Sequence, residues 1–159
     1  MIKHIAAAAL MAATSFTATA AEPVSYYVGA DTGVTRVNDY SNDNSYGVFA
    51  GVKVNQNVAL EAGYRELGRF PAYSYGFFKA KQTAISLIGS APVGAVSVFG
   101  RIGFNTIKVE TRAGNGNDDG LLLGVGVSYN INKQISARVE YQRPSSDSKN
   151  LSVGVSYAF

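Results

Sequence analysis

Seven charged residues, Asp31, Lys53, Glu61, Arg65, Arg101, Arg138 and Glu140, interrupt stretches of chain otherwise built from apolar and small side chains. Isolated charges of both signs in such surroundings can do three things. A pair of carboxylates can divide acid and base work between them. A line of charges can form the wall of a polar pore. Alternatively, the charges can neutralise one another inside a closed interior, where a charge is tolerated only when paired. Nucleophilic and metal chemistry has less to work with. The only histidine is His4 and cysteine is absent, so beyond the first twenty residues there is no imidazole base, no imidazole or thiolate metal ligand and no thiol nucleophile. Hydrolases and acyltransferases that set a His beside a Ser are therefore disfavoured, and no catalytic, metal or cofactor-binding residue is assigned. Asp118 and Asp119 could hold a divalent cation, but they lie in a run of Gly, Asn and Asp that reads as an ordinary outer loop.

The elements that must position the seven charges are strands. Among 159 residues, 17 Gly and 10 Tyr against 4 Pro is a composition for sheet rather than helix. A net charge of +3 and a charged fraction of 16% leave nothing for a nucleic-acid partner to recognise. Lys3 and His4, the apolar run from Ile5 to Met11 and the ending Ala18-Thr19-Ala20 make residues 1–20 a cleavable secretion signal, followed by one domain over residues 21–159. The intact mass of the exported protein should match a chain that begins at Ala21. Retained Met1, or protein left in the cytosol, would refute that reading. After the signal no apolar stretch reaches the ~18 residues of a membrane-crossing helix. If the domain spans a membrane, it does so as a closed barrel.

From Tyr26 onward the side chains alternate with period two, broken by polar, Gly-rich clusters. Eight strands are predicted at about 26–36, 45–54, 58–65, 79–89, 96–109, 121–131, 135–142 and 150–159. One face of each strand is aliphatic; Val48, Leu60, Ile85, Ile102, Val125 and Val153 belong to it. The other face is Gly, Ala and Ser, and it carries the seven charges. A soluble sandwich would place Lys, Glu and Thr on its wet face, whereas small residues suit the crowded inside of a narrow barrel and an aliphatic face suits lipid. The expected fold is all-β, an eight-stranded antiparallel up-and-down transmembrane β-barrel after a cleaved signal peptide. Links 55–57, 90–95 and 132–134 are short, while 37–44, 66–78, 110–120 and 143–149 are longer. Outer-membrane barrels keep short turns in the periplasm and longer loops outside, which places both termini in the periplasm. On this layout the outward aromatics Tyr26, Tyr129, Tyr157 and Phe159 gather at the periplasmic end, and Tyr46, Tyr64, Phe104 and Tyr141 gather toward the outer end. These are the two girdles expected at the membrane interfaces.

Gly63-Tyr64 followed by Leu67-Gly68-Arg69, then Arg138-Val139-Glu140-Tyr141-Gln142, and the ending Leu151 to Phe159 resemble the OmpA-like family of outer-membrane barrels in order and spacing. The resemblance covers nearly all of the chain after the signal. It implies a barrel seated in the outer membrane of a Gram-negative bacterium. It also implies that Glu61 and Arg138, at the family's interior Glu of the third strand and interior Arg of the seventh, belong to one salt-bridge network. Asp31 stands where the family has an interior Lys on the first strand, and Ser128 where it has an interior Glu on the sixth, so the network is expected to be rewired. The family's namesake carries a peptidoglycan-binding domain after its barrel; this sequence ends on its last predicted strand, and no peptidoglycan tether is carried over. By resemblance, the ending with Tyr157 and Phe159 is the signal read by the barrel-assembly machinery.

Three functions follow, in order of preference. The first is a structural or surface-interaction barrel, whose outer loops serve envelope integrity, adhesion or ligand contact. The second is a narrow, low-conductance channel for small solutes, and the third a lipid-modifying enzyme. The expected partners are outer-membrane lipid and lipopolysaccharide, whose phosphates Arg69, Lys79 and Lys81 could meet, with the assembly machinery during biogenesis. A monomer is expected.

Overall fold

The computed structural model describes residues 24–37, 42–72, 76–111, 114–146 and 148–159, so the secretion signal expected at 1–20 lies outside the described residues. The strands are β1 (Ser25–Val37), β2 (Asn42–Lys53), β3 (Val58–Ala72), β4 (Gly76–Val93), β5 (Val96–Thr111), β6 (Gly114–Asn130), β7 (Ile135–Arg143) and β8 (Ser148–Ala158). Each pairs antiparallel with the next, and β8 returns to β1, with Val28 opposite Tyr157 and Thr32 opposite Val153. Closure matters because an open edge would turn unpaired backbone N–H and C=O groups toward hydrocarbon, where nothing can satisfy them.

Alternation along the strands sorts the side chains. Val48, Val98, Val125 and Leu151 are exposed on the outer wall, whereas Phe49, Phe99, Gly124 and Asn150 turn inward. All eight girdle aromatics, Tyr26, Tyr46, Tyr64, Phe104, Tyr129, Tyr141, Tyr157 and Phe159, are on the outer wall. The Tyr157 and Phe159 rings meet edge-on, 5.3 Å apart.

Inside, large residues face absent ones. Tyr27 lies opposite Gly51, Phe49 opposite Gly29 and Phe99 opposite Gly126. A Cβ built at these glycines would come within 2.4, 2.2 and 2.4 Å of the facing ring. An eight-stranded barrel encloses little more than its own side chains, so a ring on one strand requires a glycine on the next. The Gly-rich inner face is a packing necessity rather than a sign of flexibility.

The strands outrun their predicted ends on the side away from the termini. Residues 66–72, 76–78, 110–111 and 114–120, expected in loops, continue β3 to β6, with a bulge between Glu66 and Gly68. The expectation followed the apolar alternation, which ends where lipid ends, but ladder hydrogen bonds need no apolar side chain. Asp118 and Asp119 therefore lie in β6 rather than in a loop, exposed and on opposite faces of the strand, so they cannot grip one ion together. At the other end, the link expected at 90–95 contracts to a two-residue turn, Gly94-Ala95, between Val93 and Val96. Gly94 takes φ of 67°, a conformation that glycine adopts without strain. The remaining two turns use one device: Asn55 Oδ1 accepts from the N–H groups of Asn57 and Val58, and Asn132 Oδ1 from those of Gln134 and Ile135.

Candidate functional site

The lumen is stacked in layers. Near the end where β1 begins and β8 finishes, Tyr27, Phe49, Ala59, Ile88 and Phe99 form an apolar layer. Toward the other end Leu67, Ala80 and Ile107 form a second. Between them sit Asp31, Glu61, Arg65, Arg101, Arg138 and Glu140, three carboxylates and three guanidiniums. They come from β1, β3, β5 and β7, and each lies in register opposite a glycine of β2, β6 or β8. Gly51 faces Glu61, Gly47 faces both Asp31 and Arg65, Gly124 faces Arg101, Gly126 faces Glu140 and Gly154 faces Arg138. The odd strands supply the charge and the even strands the room.

Glu61 is the hub. Arg138 forks onto it, Nη1 to Oε2 at 2.8 Å and Nη2 to Oε1 at 3.2 Å. Arg101 donates to Oε1 at 2.7 Å, and the Tyr27 hydroxyl donates to Oε2 at 2.8 Å. Arg101 also clasps Glu140 through Nε and Nη2, at 2.5 and 3.1 Å. Arg65 pairs with Asp31 at 2.7 Å and donates from Nη1 to Asn150 and Gln142. Arg138 joins the two groups: Nη2 lies 3.6 Å from Asp31 and 3.8 Å from Glu140, while the guanidinium stacks 3.5 Å above the Phe49 ring. Two-point Arg–carboxylate contacts are the strong form of this interaction, and in a low-dielectric interior the linked bonds reinforce one another.

Lys53 is a correction. It shares the inward parity of the other six, but it is exposed at the end of β2, with Nζ 5.8 Å from the Tyr27 ring centroid, and it makes none of the cluster's ion pairs. Parity gives the face of a residue and not its depth; at this depth the lumen has opened into a vestibule of about 290 Å³ lined by Tyr27, Gln56, Ser97, Ser128 and Arg138. The cluster also has three neutral members that charge alone does not single out, Tyr27, Gln142 and Asn150. Asn150 is fully buried and bonds Thr35 at 2.9 Å, Ser45 at 2.7 Å and Arg65, tying β8 to β1, β2 and β3. Their inward parity was the available signal.

The space within the cluster amounts to about 20 Å³, roughly one water molecule. Its carboxylates are held by arginines, and none reaches an open cleft. What this arrangement does chemically is cross-link strands that are not neighbours in the sheet.

A closed barrel with an aliphatic belt outside and an ion-paired lumen is the construction of a bacterial integral membrane β-barrel. The chain belongs to the outer-membrane β-barrel family: the outer membrane protein beta-barrel domain matches residues 5–159. Over 153 residues it is 31% identical to outer membrane protein A of Escherichia coli O157:H7, covering 81% of this chain and 44% of that protein, so it spans less than half of the relative's length. Its fold is similar to that of neisserial surface protein A, with a TM-score of 0.60 and 19% identity over 89% of this chain and 100% of the other. It is similar too to the N-terminal barrel of Pseudomonas aeruginosa OprF, with a TM-score of 0.59 and 14% identity over 84% and 97% of the two chains.

Proposed function

We propose that this barrel is a structural and surface-interaction element of the Gram-negative outer membrane, neither a conduit nor an enzyme. The sealed lumen carries the reading. A charge-balanced cluster fills the middle, apolar layers flank it, and the vestibule stops at Arg138 with about 20 Å³ of space beyond. The packing of the cluster leaves a hydrated solute no room to pass it, and among the described residues the cluster's carboxylates are held by arginines rather than free to act on a lipid. Function then resides on the outer wall and at the end away from the termini. Planar-bilayer recording of the protein should give no steady conductance. Reproducible single-channel steps would replace this reading with that of a narrow channel.

In this reading the short turns and both termini face the periplasm. Closure of the ladder leaves no edge for a second copy to extend, which supports a monomer. Lipopolysaccharide is the partner suggested by Lys79, Lys81 and Lys108, which alternate with buried Ala80, Gln82 and Ile107 and so point outward beyond the level of Tyr64 and Phe104. Lys81 has Glu66 opposite it on β3 and Lys108 opposite it on β5. Outward cations on neighbouring strands at one height are groups that a lipid-borne phosphate can engage. The side chain of Arg69, the third member expected, lies outside the described residues.

The assembly machinery is the transient partner, reading Tyr157 and Phe159. Phe159 is 74% exposed, and its N–H bonds Tyr26 O at 2.9 Å. Deleting it removes one hydrogen bond and one interfacial ring, so refolding into pure lipid should change little. Assembly in cells should instead fail, leaving protein in the periplasm; arrival in the membrane at the normal rate would refute the role.

A further inference from the structure

The vestibule of about 290 Å³, at the end where β1 begins and β8 finishes, has room for about ten water-sized groups. Its lining is one-sided in charge. The charged residues that form it are Lys53 and Arg138, both cations. Lys133, in the turn between β6 and β7, adds another at the same end. The cluster behind the vestibule does not cancel Lys53, because its three carboxylates are already matched by its own three guanidiniums. The mouth therefore carries a surplus of positive charge, which favours an anion entering it.

Register gathers hydrogen-bond donors on one side of this space. Ser97 faces Ser128 across β5 and β6, and Ser128 faces Arg138 across β6 and β7, in steps of about 4.5–5.5 Å between Cα atoms. Ser156 lies on β8, the next inward position after Gly154, which faces Arg138. Arg138 is the most exposed of the cluster's arginines, 11% of its side chain against 4% for Arg101 and 7% for Arg65. Its fork onto Glu61 takes one N–H from each terminal nitrogen, whereas a guanidinium has five to give. Lys53 approaches from β2. Its Nζ lies 5.8 Å from the Tyr27 ring centroid, that ring is 6.3 Å from Phe49, and Arg138 stacks on Phe49. The two cations thus stand at either end of one aromatic pair, with serine hydroxyls beside them. Separate cations and several hydroxyls suit the doubly charged, many-oxygened head of a phosphate monoester. We propose that the vestibule binds a small soluble organic phosphate, held by Lys53, Arg138, Ser97, Ser128 and Ser156. The cluster closes the inner side, so binding requires no passage through the barrel. That the mouth opens to the periplasm rests on the orientation given above; the binding chemistry does not.

The test is an amide NMR titration of the protein in phosphatidylcholine nanodiscs with glycerol 3-phosphate, and with glycerol as the neutral control. Saturable shifts are expected at Ser97, Ser128, Arg138 and Ser156 with the phosphate and not with glycerol. Lys53→Gln removes one partly exposed charge and should weaken binding roughly fivefold. The exposed Lys53 makes no ion pair of the cluster, so the variant keeps the fold. Ser128→Asp sets a carboxylate directly opposite Arg138 and should abolish binding. Phosphatidic acid placed in the nanodisc bilayer should not reproduce the shifts, since its phosphate stays outside the barrel wall. Unsaturable shifts, equal shifts with glycerol, shifts centred instead on Lys79, Lys81 and Lys108, or the same affinity in Lys53→Gln would each overturn the proposal. Shifts at the same residues from phosphatidic acid would overturn its assignment to a soluble ligand.

Discussion

Glu61→Ala should lower the stability of the folded barrel by about 3–5 kcal/mol, the range for stranding a buried charge. The geometry says which charge is stranded. Arg101 keeps its two contacts with Glu140. Arg138 loses both arms of its fork and keeps only the longer approaches to Asp31 at 3.6 Å and Glu140 at 3.8 Å. Two carboxylates then face three guanidiniums, so one buried positive charge has no counterpart. Removing Arg138 as well restores the balance, so Glu61→Ala with Arg138→Met should be less destabilised than the sum of the two single changes; neighbours in one network couple in this way. Urea titration of the barrel in lipid vesicles measures all three variants. A loss below ~1 kcal/mol for Glu61→Ala, the size of an average substitution, would mean that water reaches the cluster and that the lumen is not sealed.

Val125→Arg is the second large effect expected, about 2–4 kcal/mol for a charge near the bilayer midplane. Val125 is 61% exposed on the outer wall of β6, midway between Leu121, which pairs with girdle residue Phe104, and Tyr129 of the opposite girdle. An arginine there either sits in hydrocarbon or bends toward an interface, and both are unfavourable. Val125→Leu keeps the apolar contact and should leave stability nearly unchanged. The same titration in vesicles decides; a shift under ~0.5 kcal/mol for the arginine, typical of an ordinary surface position, would contradict a lipid-facing wall.

The two substitutions probe opposite faces of one alternation, and they differ in how legible each site was. Val125 needs only its own strand: neighbours at every second position are apolar, and lipid imposes that pattern wherever the wall touches it. Glu61 needs partners from elsewhere. It lies 40 residues from Arg101 and 77 from Arg138 along the chain, and no local pattern links them. The inner-face glycines did carry part of that information, since each cluster residue is matched by a glycine on an adjacent strand, but the match is visible only once the register is known.

Strand number, inward and outward faces and barrel closure were all determined by the sequence alone. Each is the local consequence of a two-residue repeat meeting a bilayer that tolerates neither exposed charge nor unpaired backbone. The tertiary structure decided the rest. Where the strands end beyond the lipid depended on ladder hydrogen bonds, which require no apolar signature. Lys53 obeys the same alternation as Glu61 yet lies in solvent, because depth along the barrel axis follows from the stagger of all eight strands. Which acid meets which guanidinium depended on the distance across a lumen just wide enough for side chains from opposite walls to touch.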